Sequence, residues 1–114
     1  MLRGVILALL LTTSAANAQN FYTGNRIHKL CQSANPFEQG GATGYSIGAF
    51  DTVMFTLRTF PGSAKNLNVC PGKRLTVGQV KDVVCQYLEK NPQVRDDDAP
   101  GLVWVAMAEA WPCK

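Results

Sequence analysis

One histidine and four cysteines offer most of the reactive chemistry in this 114-residue chain. His28 is followed by Lys29 and lies one helical turn before Cys31. A Cys-His hydrolase needs a free thiolate held beside an imidazole. Cys31 is expected to be oxidised, so His28 reads as a surface histidine on a helix. Zinc would need close cysteine pairs of the C-x-x-C kind, and Cys31, Cys70, Cys85 and Cys113 are far apart. An even cysteine count in a small exported domain instead implies two disulfides. Each contributes about 2–4 kcal/mol, and four cysteines allow three pairings. The acidic run Asp96-Asp97-Asp98 lacks the alternating ligands and closing glutamate of a calcium loop. Gly40-Gly41 and Gly44 match no phosphate-binding or dinucleotide pattern, and no strand precedes them. The chain therefore reads as a binding or protective module, with no catalytic residue, metal or cofactor.

The first eighteen residues carry the signs of a cleavable leader. Arg3 supplies a positive start, Val5 to Leu11 is unbroken apolar sequence, and Ala16-Asn17-Ala18 is a small-x-small cleavage pattern before Gln19. The apolar run is too short to span a bilayer comfortably, so the mature protein is expected outside the reducing cytoplasm, soluble, as one domain from 19 to 114. The chain has eleven Lys/Arg, of which Arg3 falls in the leader; ten then face eight Asp/Glu. So even a balance argues against nucleic acid or an anionic membrane surface as partner.

Four helices are expected to position these residues, with no convincing strand. The first, Phe21 to Gln32, can be capped by Thr23 or Asn25 and places Ile27, Leu30 and Cys31 on one face. Ser33 to Gly41 reads as a turn-rich break. The second helix, Ala42 to Thr59, has one apolar stripe at Ile47, Phe50, Met54 and Leu57 and another at Tyr45, Ala49, Val53 and Thr56. That pattern suits a central helix wrapped by the others. Gly44 and Gly48 leave a smooth groove open to another helix backbone, and Asp51 reads as a solvent-facing acid. Phe60 to Leu75 is a long connection pinned by Cys70.

Thr76 and Gln79 form a capping box for the third helix, in which Val77, Val80, Val84, Tyr87 and Leu88 make the buried stripe before Asn91-Pro92. Asp98 can cap the fourth helix, with Ala99 and Pro100 in its first turn. Leu102, Val103, Val105, Ala106, Met107 and Ala110 bury that helix, and Pro112 ends it. Trp104 and Trp111 read as core aromatics, Trp111 half exposed. The fold class expected is all-α: a small disulfide-stabilised orthogonal bundle of about four helices.

The order of several short strings goes further. These are FYTGNRIHKLC from Phe21, GYSIGAFD from Gly44, VCPGKRLTVGQV from Val69, YLEKNP from Tyr87 and AEAWPC from Ala108 to Cys113. With these the mature chain resembles the Tai-type immunity proteins of the Rap/Tai family, which share an HdeA-like helical fold. The resemblance implies a periplasmic homodimer that binds a peptidoglycan amidase delivered by type VI secretion. A protruding loop then blocks the enzyme's Cys-His cleft sterically. Family members often carry a cysteine shortly before the G-Y-x-x-G string, where this chain has Ala42-Thr43 and places its fourth cysteine at Cys85. HdeA links its first helix to the helix before a K-N-P sequence, which implies Cys31–Cys85 and Cys70–Cys113 here.

The partner-binding residues expected are those of the loop between helices three and four, Gln93, Arg95, Asp96, Asp97 and Asp98. It is exposed, charged and set between rigid elements. For Asp96 and Asp97, recognition and mere solubilisation stay open; for Asp98 capping is favoured. The connection from Phe60 to Leu75, with Lys73 and Arg74, is the second candidate. The rival reading is an acid-stress chaperone of the HdeA kind, which would favour many groups titrating at low pH; eight acids and one histidine fit it poorly.

Overall fold

A computed structural model describes residues 20–114; the leader and its cleavage site lie outside the described residues. Among them are four α-helices and no strand: α1 (Gly24–Gln32), α2 (Pro36–Thr59), α3 (Val77–Lys90) and α4 (Ala99–Ala110). A single 3-10 turn, Pro92–Val94, separates α3 from α4. The all-α bundle read from the sequence is the fold.

Each helix start has a local cause. The Thr23 hydroxyl accepts from the Arg26 N–H, so Thr23 rather than Asn25 caps α1. The expected start at Phe21 is three residues early. There the backbone is drawn away from the helix: the Tyr22 carbonyl accepts from Ala99 N–H at 3.0 Å. Thr76 and Gln79 form the capping box reciprocally, at 3.2 and 2.8 Å.

The largest difference from the sequence reading is α2. It begins at Pro36, so most of the expected break, including Gly40 and Gly41, is helical. Asn35 Oδ1 accepts from Phe37 N–H at 2.8 Å, and proline is compatible with a first helical position. Gln39 then reaches back to the carbonyls of Cys31 and Ser33, at 2.9 and 2.5 Å, and satisfies the end of α1. Glycines cost about 1 kcal/mol each in a helix interior, so tertiary contact rather than propensity extends this helix.

The core unites Ile27, Val53, Val84, Leu88, Leu102, Val103 and Met107. As expected of a central helix, α2 packs against all three others. It is nevertheless not the buried one: only Ala42, Ser46 and Val53 are buried on it. The buried helix is α4, through Ala99, Leu102, Val103, Ala106 and Met107. Two expected core residues stand outside. Val77 is 52% exposed in the first turn of α3, and Ala110 is exposed in the last turn of α4.

Two disulfides tie the bundle: Cys31–Cys85 joins α1 to α3, and Cys70–Cys113 joins the long connection to the chain end. This is the pairing the family resemblance implies. The long connection is tied twice more, as Cys70 N–H donates to the Trp111 carbonyl at 2.8 Å and Trp104 Nε1–H to the Leu67 carbonyl at 2.5 Å. Trp104 and Trp111 are both half-buried against the core. No helix among the described residues is long and apolar enough to cross a membrane.

Candidate functional site

The loop from Gln93 to Asp98 is built from the ends of α3 and α4 and braced by the start of α1. Arg95 folds back onto α3, with Nε donating to the Leu88 carbonyl at 2.6 Å and Nη2 to the Glu89 carbonyl at 3.1 Å. A guanidinium on the last carbonyls of a helix satisfies orphan acceptors and complements the helix dipole. Arg95 is thus committed to holding the loop. Gln93 is exposed and donates only to Asn91 Oδ1, at 3.3 Å.

The brace is antiparallel in character, with Thr23 and Asp98 bridged. Gly24 N–H donates to the Asp97 carbonyl at 3.0 Å, and Asn25 N–H to the Arg95 carbonyl at 2.7 Å. Asn25 Nδ2 also donates to Asp96 Oδ1 at 2.7 Å. Asp96 is therefore partly occupied, while the exposed carboxylates of Asp97 and Asp98 have no hydrogen-bond donor among the described residues. The expectation that Asp98 caps α4 needs correcting. It stands at the N-cap position and its carbonyl accepts from Leu102 N–H, but its side chain makes no capping hydrogen bond. With the local backbone engaged by Tyr22 and Thr23, the carboxylate faces outward. The sequence reading missed Gly24 and Asn25; a glycine opening a capped helix was the available signal of close backbone approach.

Asp98 also borders a second feature. Tyr45 stacks edge-on against Tyr22, with ring centroids 5.5 Å apart. Burial, then the charge of Asp98, then Tyr22, raises the Tyr45 hydroxyl above its ordinary value. Tyr45 lies at the edge of a groove of about 560 Å3 between α2 and α4, lined by Gly44, Gly48, Thr52, Pro100, Gly101 and Trp104 among others. The space above Gly44, Gly48 and Gly101 is empty to 4 Å, so no helix among the described residues fills the groove expected from the sequence.

The second candidate, the long connection, carries Lys73 and Arg74 exposed. Among the described residues no group of three His, Cys, Asp or Glu converges to hold a metal ion, and no cysteine is free.

His28 is not the surface residue expected. It is 9% exposed, and its Nε2 lies 2.6 Å from Glu89 Oε2, which also accepts from Gln32 at 3.3 Å. The cause is the approach of α1 to α3, which turns this face of α1 inward. With Nε2 as donor, the His28 hydrogen bond is the main reason the Glu89 carboxyl sits below its ordinary value. Desolvation opposes this, and the charges of His28 and Arg95 and the Gln32 amide assist it. A carboxyl lowered on folding adds stability above its ordinary value of 4.5 and loses it as pH falls through the folded value. Urea unfolding midpoints taken downward from neutral pH should therefore show wild type losing its advantage over Glu89→Gln below 4.5. Added salt should shrink the advantage, since Glu89 is 63% exposed. Parallel profiles would mean that the pair carries no stability.

The decisive comparison is with protein families. A family model described as Rap1a immunity proteins matches residues 23–113, nearly the whole described chain. The chain belongs to that family. No curated protein and no solved structure matches it. As a Rap1a immunity protein it is an immunity-type protein that binds a cognate effector, a role that needs no catalytic centre. Its two disulfides suit an exported protein in an oxidising compartment.

Proposed function

We propose that this protein is a periplasmic inhibitor that binds a peptidoglycan amidase effector of type VI secretion and blocks its active-site cleft. It acts as a homodimer and presents the loop from Gln93 to Asp98 to the enzyme. The observation that carries this reading is the match to Rap1a immunity proteins over residues 23–113. The braced loop supports it: Asp97 and Asp98 project from a backbone already fixed by α1, so little ordering remains for binding to cost.

The test is titration of the protein, residues 19–114, into an amidase effector of the same organism while wall hydrolysis is followed. Inhibition should saturate at a fixed stoichiometry. Asp97→Lys should weaken it about tenfold or more by reversing an unshared charge at the contact. Asp97 is the cleaner site, because Asp96→Lys also removes the bond to Asn25. Absence of both inhibition and a complex on gel filtration would exclude the pairing. Undiminished inhibition by Asp97→Lys would move the contact off this loop, toward Lys73 and Arg74.

A further inference from the structure

The even overall charge hides a segregation along the chain. From Thr52 to Lys81 there is no Asp or Glu, while Arg58, Lys65, Lys73 and Arg74 are all exposed there. Lys114 joins them, because the Cys70–Cys113 disulfide and the bridge of Val69 to Pro112 hold the chain end against the connection. None of the five is in an ion pair; the single pair among the described residues is His28 with Glu89. The acids that flank them in sequence are engaged or set back. Glu109 lines the cleft between α3 and α4 with Tyr87 and Lys90, and Asp82 has Lys81 beside it. Asp51 stands about 10 Å back along α2 from Arg58, beyond the screening length in physiological salt.

Exposed aromatic surface accompanies these charges. Phe55, 58% exposed, is one turn from Arg58 on the surface of α2, and Phe60 is 60% exposed just beyond the helix. The turn that follows fixes Phe60: Ser63 N–H donates to its carbonyl at 3.1 Å, and Pro61 and Gly62 take the two middle positions. Gly62 is at φ 88°, the left-handed region that a type II turn requires there. An aromatic ring held out beside lysines and arginines suits a lipid interface, where the ring enters the headgroup layer and the cations meet phosphate. A dissolved polyanion would use the charges and leave the rings in water.

The rest of the fold sets the orientation. Tyr45 feels the charge of Asp98 at the start of α4, and Phe50 meets Trp111 edge-on at its end, with ring centroids 6.2 Å apart. The two helices therefore point the same way. The basic end lies past the C-termini of both, and the acidic loop lies before α4, whose 12 residues span about 18 Å. We propose that Arg58, Lys65, Lys73, Arg74 and Lys114, together with Phe60, dock this protein on an anionic lipid surface. The acidic loop then faces away from the membrane, open to a protein partner. The proposal stands apart from the inhibitor reading, and neither needs the other.

Co-sedimentation of residues 19–114 with lipid vesicles tests it. Vesicles of phosphatidylglycerol and phosphatidylcholine in equal parts should carry the protein down, and vesicles of phosphatidylcholine alone should not. Added salt should release it. Each Lys or Arg near an anionic surface is worth about fivefold in affinity, so Lys73→Glu with Arg74→Glu should weaken binding about 25-fold or more. Phe60→Ser should weaken it about fivefold. All three side chains are exposed, so circular dichroism should show the fold unchanged. Equal binding to both kinds of vesicle, binding to neither, or indifference to the charge reversal overturns the proposal. Loss with the charge reversal but none with Phe60→Ser also overturns it, by making the patch a site for polyanions in general.

Discussion

Replacing Cys31 and Cys85 together by serine is expected to lower stability by about 4 kcal/mol. The bond closes a sequence separation of 54 residues, and the entropy returned to the unfolded chain when such a loop is opened has that size. A small domain holds only about 5–15 kcal/mol in all, so the variant should unfold at markedly lower urea concentration and temperature. The structural consequence is specific. α1 has nine residues, too few to be helical alone in water, and the bond ties it to α3. Loosening α1 also loosens Gly24 and Asn25, and with them the loop from Arg95 to Asp98. Amide exchange should therefore rise at Gly24, Asn25 and Ala99, whose N–H groups make the brace, before it rises in α3. A midpoint unchanged from wild type would show that packing alone holds α1.

Gly24→Ala is expected to cost about 2–3 kcal/mol, as overpacking at a rigid contact does. A methyl group there would meet the Leu102 side chain and lie 2.9 Å from the Arg95 carbonyl oxygen. Leucine can turn away; the carbonyl cannot, because it accepts from Asn25 N–H beside the Gly24 to Asp97 bond. Gly40→Ala gives the opposite sign. Its Cβ position is empty to 4 Å, so the substitution should stabilise the helix by up to about 1 kcal/mol. Denaturant melts of the pair distinguish a backbone contact from a general dislike of side chains at glycine positions. In the amidase titration Gly24→Ala should also weaken inhibition, since it displaces the loop.

How legible was this in the sequence? Local rules read well where one residue decides the outcome. The capping box at Thr76 and Gln79 and the end of α3 at Asn91 follow from side chain against backbone within one turn, whereas the cap of α1 stayed open between Thr23 and Asn25. Long-range geometry was not legible. The glycines at 40 and 41 are breakers by propensity, yet α2 runs through them because Pro36 and Asn35 start it early and Gln39 locks the corner onto α1. His28 looked exposed because its partner, Glu89, is 61 residues away. The acidic loop was visible as a charge run, but its brace was not, since backbone hydrogen bonds leave no mark on composition. Gly44 and Gly48 did announce a groove. That the described helices would leave it open depends on how α4 packs, which periodicity does not encode.

The two disulfides have a consequence for how the chain must mature. Their spans, 31 to 85 and 70 to 113, interleave. A chain that emerges N-terminus first offers Cys70 to Cys31 before Cys85 exists as a competitor. Oxidation in order of appearance would join Cys31 to Cys70 and strand Cys85 with Cys113, a sequential pairing that cannot hold α1 against α3. Native maturation must then either delay the first oxidation until α3 has formed or undo the early bond by thiol exchange. The yield of active protein should accordingly depend on a disulfide isomerase wherever the chain is oxidised as it appears, and be independent of one when the complete reduced chain folds before oxidation.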